Sequence, residues 1–264
     1  MTDGAFTRRR LEAIVDRALR SSGALGVVPT PLDAVAAVAG VRAVEPMPAG
    51  LAAVARPVLG ALRFDDRTIY VDEAQSAARR RFTEAHELAH ALFPWHEAVL
   101  RVDTEDELFG ATRSAIEREA NVGAGLLIFQ RARLREPPSI DAALALAKRY
   151  GASTHATLHH LVAGHPTSAA LLVVGRFPQR DGSLPVWRSV ASRAFAARVP
   201  SAIRPGSALS ELVEASRRSG RARSSIGRGV TAESYYNRHS FLVLVEPSPC
   251  SRRPSSAATH SLTG

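Results

Sequence analysis

The sequence predicts an α+β fold of more than one unit, and three observations carry that prediction. Residues 6–162 hold mostly helical patterns, broken by a short strand at residues 41–44 and a strand pair at residues 60–71. A His-Glu-x-x-His pattern, His86-Glu87-Leu88-Ala89-His90, lies inside one of those helical runs. After Gly164-His165-Pro166 the period shortens and strand-like segments take over. Apolar residues recurring every three to four positions give a helix one buried face, whereas alternation at every second position gives that face to a strand.

The elements follow in order. Residues 6–20 read as an amphipathic helix, with Leu11, Ile14, Val15 and Leu19 at helical spacing. Pro29-Thr30-Pro31 breaks the chain, residues 32–39 form a short helix and residues 41–44 a strand. Residues 60–64 and 68–71 flank Asp65-Asp66-Arg67, which reads as a hairpin turn. The helix with the His-Glu-x-x-His pattern runs over residues 72–93 and ends at Pro94. A loop carrying Asp103, Glu105, Asp106, Glu107 and Gly110 is expected next. Residues 114–130 form another helix, with Ser114 and Glu117 at capping-box spacing. Pro137-Pro138-Ser139 breaks the chain again. Two short helical patterns, 140–150 and 153–162, are joined through Gly151-Ala152 in the outline of a helix-turn-helix. Beyond them, residues 169–174, 184–190 and 241–245 read as strands and 209–215 as a helix. The Arg-, Ser- and Gly-rich stretch 217–229 reads as a flexible linker.

These breaks predict a first domain over residues 1–130, a helical segment over 131–166, an α+β domain over 168–247 and a disordered tail over 248–264. Cys250 is the only cysteine, which excludes an internal disulfide and a multi-cysteine zinc site and fits a reducing compartment. No apolar run reaches the roughly 20 residues needed to span a bilayer. The stretch after Arg8-Arg9-Arg10 is interrupted by polar residues, unlike a signal-peptide core, so a cytoplasmic protein without membrane contact is expected. The formal net charge is +9, and Lys148 is the only lysine. Such a charge suits nucleic-acid binding, and it equally suits a GC-rich genome that encodes arginine in place of lysine.

Residues four apart on a helix share a face, so His86 and His90 can hold one metal ion between them. Glu87 lies beside them to take a proton from the attacking water. Leu88, Ala89, Ala91 and Leu92 can bury the rest of that helix. A hydrolytic zinc site needs a third protein ligand and one open position. Glu117 and Glu119 are the candidates, and they point roughly 200° apart on a helix, so only one can face the metal. Glu117 shares its face with the small residues Ala120 and Ala124 and is the favoured ligand; Asn121, one turn on, would support it from behind. Glu119 is expected as a solvated charge. Two imidazoles and a carboxylate suit Zn2+, and Mn2+ fits the same set. Candidate substrate or oxyanion contacts are Tyr70, His96 at the rim of the site and His159 on the second short helix.

The segment Arg81-Phe82-Thr83-Glu84-Ala85-His86-Glu87-Leu88-Ala89-His90-Ala91-Leu92, followed by Glu117-Arg118-Glu119-Ala120-Asn121-Val122-Gly123-Ala124-Gly125-Leu126-Leu127, resembles the ImmA/IrrE metallopeptidases, their radiation-response members in particular. The resemblance covers residues 61–130 closely and continues more weakly to the C-terminal region. It implies a peptidase domain, a helix-turn-helix-like segment and a GAF-like domain, in that order. It implies His86, His90 and Glu117 as metal ligands, Glu87 as catalytic base, and an XRE-type helix-turn-helix repressor as the substrate whose cleavage switches on stress genes. Two positions depart from the pattern: Gln130 stands where the family has proline, and His159 where an aromatic residue is expected.

Two function classes emerge. One is a zinc endopeptidase acting on a repressor. The other is a DNA-binding regulator that uses residues 140–162 and the arginines of 217–228 on phosphates. A recognition helix there would present Thr154, His155, Thr157 and His159, with no arginine for base edges, so the helix pair is expected to be a packing pair. A small-molecule signal at the C-terminal domain is a third expectation, its ligand unknown.

Overall fold

The computed structural model describes residues 3–48, 59–100, 107–130, 136–164, 166, 168–195, 199–227 and 229–247. The acidic residues Asp103, Glu105 and Asp106, Cys250 and the expected disordered tail lie outside them. The chain is mixed α+β and divides into two compact units, residues 1–133 with 144–157, and residues 134–143 with 158–264. The helical pair α6 (Ile140–Tyr150) and α7 (Thr154–Gly164) is not a unit of its own, because the division falls inside both helices.

The first unit opens with α1 (Asp3–Ser21) and α2 (Leu32–Val38), whose apolar stripes bury Leu11, Val15, Leu19, Leu32 and Val35. Three short strands follow: β1 (Ala43–Pro46), β2 (Gly60–Arg63) and β3 (Thr68–Val71). Their order is β1-β3-β2, with β1 parallel and β2 antiparallel to β3. The expected hairpin forms across Asp65-Asp66-Arg67: Arg67 takes a left-handed φ of 57°, and the Asp66 carboxylate accepts the Thr68 N–H at 3.1 Å. β2 is thereby left at the edge of the sheet, against α3 (Ala77–Leu92).

Glycine sets two close approaches around α3. A Cβ on Gly60 would lie 2.2 Å from the Thr83 methyl, so only glycine lets β2 rest on the helix. A Cβ on Gly123 of α5 (Glu107–Phe129) would lie 2.6 Å from Ala89 Cβ and 2.9 Å from the Phe93 ring. Ala89, Ala120 and Ala124 are fully buried at the same contact. The two helices therefore approach on small residues, which brings side chains one turn away within reach of one another.

Two sequence expectations change here. The segment after Pro94 is not all loop: Phe93 adopts extended backbone (φ −96°, ψ 102°), Pro94 begins a new helix, and α4 (Pro94–Leu100) results. Proline suits a first helical position because its missing N–H would be unpaired there anyway. The capping box at Ser114 does not form. α5 already starts at Glu107, which puts Ser114 in its interior, and the Glu117 carboxylate turns to the histidines of α3. At the far end of α5, Gln130 has φ 49° and closes the helix through its N–H to Leu126. Its side chain accepts the Gly26 N–H at 2.7 Å and donates to the carbonyls of Ala24 and Val27 at 3.0 and 2.7 Å. Gln130 thus both closes the helix and pins the α1–α2 connection.

The second unit is built on a six-stranded antiparallel sheet of order β6-β5-β4-β9-β8-β7. Its strands are β4 (Ala170–Gly175), β5 (Leu184–Ala191), β6 (Ala202–Ile203), β7 (Arg221–Gly227), β8 (Val230–Tyr236) and β9 (Ser240–Pro247). The central strands β4 and β9 are almost wholly buried. Helix α8 (Ala208–Ser219) packs Leu212 and Val213 onto Leu172, Val174, Phe241 and Val243. It is capped at both ends, by the Ser207 hydroxyl accepting the Ser210 N–H and by Gly220 at φ 80°. The expected linker at 217–229 is instead the end of α8 and the edge strand β7, which pairs with β8. Its arginines and serines read as a linker because an edge strand carries polar residues at positions a central strand would fill with Val or Ile. Arg221 is bidentate on Asp141, at 2.5 and 2.8 Å, and also grips the buried Glu233.

Substituting Gly123→Val should destabilise the first unit by about 1–3 kcal/mol through overpacking against Ala89 and Phe93, read as a lower urea midpoint. Arg221→Met should cost about 1.5–3 kcal/mol, the range for a hydrogen bond to a charged group, because Glu233 is left buried without its cation. Arg223→Met, at an exposed position of the same strand, should stay within about 0.5 kcal/mol in the same denaturation assay.

Candidate metal centre

Helix α3 presents His86 and His90 on one face, with their Nε2 atoms 3.1 Å apart. Helix α5 brings Glu117 opposite, Oε2 at 3.1 Å from His86 Nε2 and Oε1 at 3.8 Å from His90 Nε2. One ligand atom from each of the three lies within 4.8 Å of the others, a spacing that could hold a metal ion. Side-chain exposure rises from 4% at His90 through 16% at His86 to 45% at Glu117, so the cluster has a closed floor and an open side. Two imidazole nitrogens and a carboxylate, closed behind and open in front, make a set of donors that could hold a metal ion with one side left open. Asn121, one turn beyond Glu117, donates to the Glu117 carbonyl at 2.8 Å and hydrogen-bonds His86 with its side chain.

Glu87, one residue on from His86, points under β2 rather than into solvent and is only 8% exposed. The Leu62 N–H donates to its carboxylate. A Cβ on Gly60 would come within 3.2 Å of Glu87 Oε1, so the glycine also leaves room for this side chain.

The two carboxylates are driven in opposite directions. Hydrogen bonds from His86 and His90 hold Glu117 far below the usual carboxylate range, where it stays an anion. Burial raises Glu87, and the nearby His86 and His90 offset this only in part. A carboxylate raised toward neutrality is suited to accept a proton and release it again. Burial lowers His86, but the hydrogen bond and charge of Glu117, with the charge of Glu87, outweigh it and leave the imidazole raised.

Behind the ligands lies a layer that sequence reasoning did not anticipate. His96 is not at the rim: it is fully buried, with its Nδ1 2.9 Å from His90 Nδ1. Its Nε2 lies 3.1 Å from Glu119 Oε2, and the Trp95 indole N–H donates to the same oxygen at 2.7 Å. Glu119 is therefore not a freely solvated charge. Pro94 was the available signal, since a proline that opens a helix directly after α3 folds residues 95 and 96 back beneath it. Tyr70 alternates with the buried Ile69 and Val71 along β3 and makes no hydrogen bond to the cluster. His159 belongs to the second unit, where it is exposed and close enough to Arg188 to feel its charge.

The raised Glu87 has a stability consequence. Its folded value lies above the unfolded one, so its contribution is complete below the unfolded value and is lost as pH rises through the folded value. Metal-free Glu87→Gln should therefore melt close to the unsubstituted protein near pH 4 and increasingly above it towards pH 8. Thermal melts across that range check the sign, and a pH-independent gap would contradict it.

Comparison with known proteins adds three findings. Residues 48–162 match the family model Peptidase_M78, the IrrE N-terminal-like domain. The curated proteins hold no match to this chain. A solved structure described as a Mycobacterium tuberculosis transcriptional regulator is similar with a TM-score of 0.57 and 16% identity, covering 90% of this chain and 76% of that one. At that identity the likeness is one of fold. The matched segment contains both helices that supply the donor atoms, together with Glu87 between them. Over residues 48–162 the chain therefore carries an IrrE N-terminal-like domain of the Peptidase_M78, or ImmA/IrrE, family.

Proposed function

We propose that this protein is a zinc-dependent endopeptidase that cleaves an XRE-type helix-turn-helix repressor in the cytoplasm and so switches on a stress response. The observation that carries the reading is the His86, His90 and Glu117 donor set with Glu87 buried beside it. The family's association with XRE-type repressors supplies the substrate class.

His86, His90 and Glu117 would hold the ion, Zn2+ by donor chemistry and Mn2+ as the alternative. When bound, the ion supplies a Lewis acid that makes water nucleophilic at neutral pH and polarises a peptide carbonyl. Glu87 takes the proton from the attacking water and passes it to the leaving amine, so one carboxylate serves both halves of the reaction. Its burial under β2 keeps bulk water from competing for that proton. β2 lies at the sheet edge, where an extended peptide can add as a further strand. Asn121 steadies Glu117 and His86 from the outer side. The second unit, read as a GAF-like sensor, would receive the activating signal. Among the described residues no helix is long and apolar enough to cross a membrane.

The DNA-binding reading has less support. Thr157, which a recognition helix would have to present, is fully buried, and Arg221 is committed to Asp141 and Glu233.

Incubation of the purified protein with an XRE-type repressor from a neighbouring gene, in the presence of zinc, manganese or chelator, tests the proposal. Discrete fragments are expected with metal and none with chelator. Glu87→Gln should lower cleavage by at least about 100-fold while still binding metal. Repressor left intact under every metal condition, together with salt-dependent binding of DNA by this protein, would favour the regulator.

A further inference from the structure

The His90–His96–Glu119 chain has a direction that hydrogen-bond accounting can read. Glu119 Oε2 receives the Trp95 N–H at 2.7 Å and lies 3.1 Å from His96 Nε2. An ionised carboxylate can only accept, so His96 carries a proton on Nε2. The Nδ1 atoms of His96 and His90 are 2.9 Å apart, a hydrogen bond in which one must donate and the other accept. If His96 is neutral, its Nδ1 is the acceptor and His90 Nδ1 is the donor. The proton of His90 is then on Nδ1, and the lone pair on Nε2 faces His86 and Glu117. The opposite direction would put the His90 proton on Nε2, the atom that has to ligate.

We propose that Glu119, acting through His96, is a positioning residue that sets the tautomer of His90 and makes its Nε2 a permanent ligand atom. The inference rests on the metal reading above and deepens it. The relay is well enclosed: His96 is fully buried and His90 nearly so. Trp95 is held between Phe93, stacked at 5.5 Å, and the Arg10 guanidinium at 4.1 Å from its ring, which fixes the indole N–H on Glu119. The Phe93 carbonyl accepts the His96 N–H at 2.9 Å, so the turn at Pro94 holds the imidazole in place from its own backbone. Among the described residues His86 shows no such relay; its outer support is Asn121. The two imidazoles are thus held by different means, a partly buried carboxylate through a fully buried second histidine on one side and an exposed amide on the other.

Two measurements test this. Nitrogen-15 spectra of the zinc-loaded, unsubstituted protein report the protonation of each ring nitrogen directly. The expected pattern is His90 protonated on Nδ1 only and His96 on Nε2 only. Zinc affinity by chelator competition is then compared for Glu119→Gln, which keeps the shape and loses the charge. A loss of about 10-fold or more is expected, with little change in the melting temperature of the metal-free protein. Glu119→Asp should recover part of the affinity. His96 protonated on Nδ1, or equal zinc affinity in Glu119→Gln and unsubstituted protein, would overturn the inference and leave the metal site standing. An unsubstituted protein that binds no divalent ion would overturn the metal reading, and this inference with it.

Discussion

The contact of α3 with α5 through small residues is the constraint on which the site depends. Neither helix holds a complete donor set. His86 and His90 come from one and Glu117 from the other, and the carboxylate reaches His86 at 3.1 Å and His90 at 3.8 Å only because Gly123 meets Ala89 and Phe93 without a side chain of its own. Ala120 and Ala124 extend the same seam. A larger residue at any of these positions would separate the helices by more than a side-chain torsion can recover, since packed interiors have little slack.

Around that seam the protein places three carboxylates in three environments, and the second unit adds a fourth. Glu117 is half exposed and held anionic by its two histidines. Glu87 is buried under an edge strand with a single backbone donor and is pushed towards neutrality. Glu119 accepts from an indole and an imidazole behind the site. Glu233, in the second unit, is buried against Arg221. Residue type is the same in all four; what differs is the balance of desolvation against nearby donors, and that balance sets what each can do.

The second unit obeys different rules. Its core is a continuous apolar sheet, and its outer strand β7 is polar and anchored by ion pairs. An edge strand of that composition resists pairing with other chains. The matched family segment, residues 48–162, ends inside α7, a helix shared between the two units.

The local signals were legible in the chain itself. Helical period, the His-Glu-x-x-His spacing and the hairpin at Asp65-Asp66-Arg67 place most elements of the first unit, and the same spacing puts His86 and His90 on one face, because these depend on neighbours within one or two turns. The preference for Glu117 over Glu119 as the residue facing the histidines also came from local geometry, as the two point to opposite sides of one helix. Only the tertiary structure decided the rest. It turned α4 beneath α3 and so joined the buried His96 to the partly buried Glu119 in a hydrogen-bonded relay, in place of a rim contact and a solvated charge. It recruited the Arg-Ser-Gly stretch into a strand, and it drew the division between units through α6 and α7. Each of these outcomes hangs on partners beyond the reach of one or two helical turns, and neither local period nor composition records which distant side chain will close a hydrogen bond.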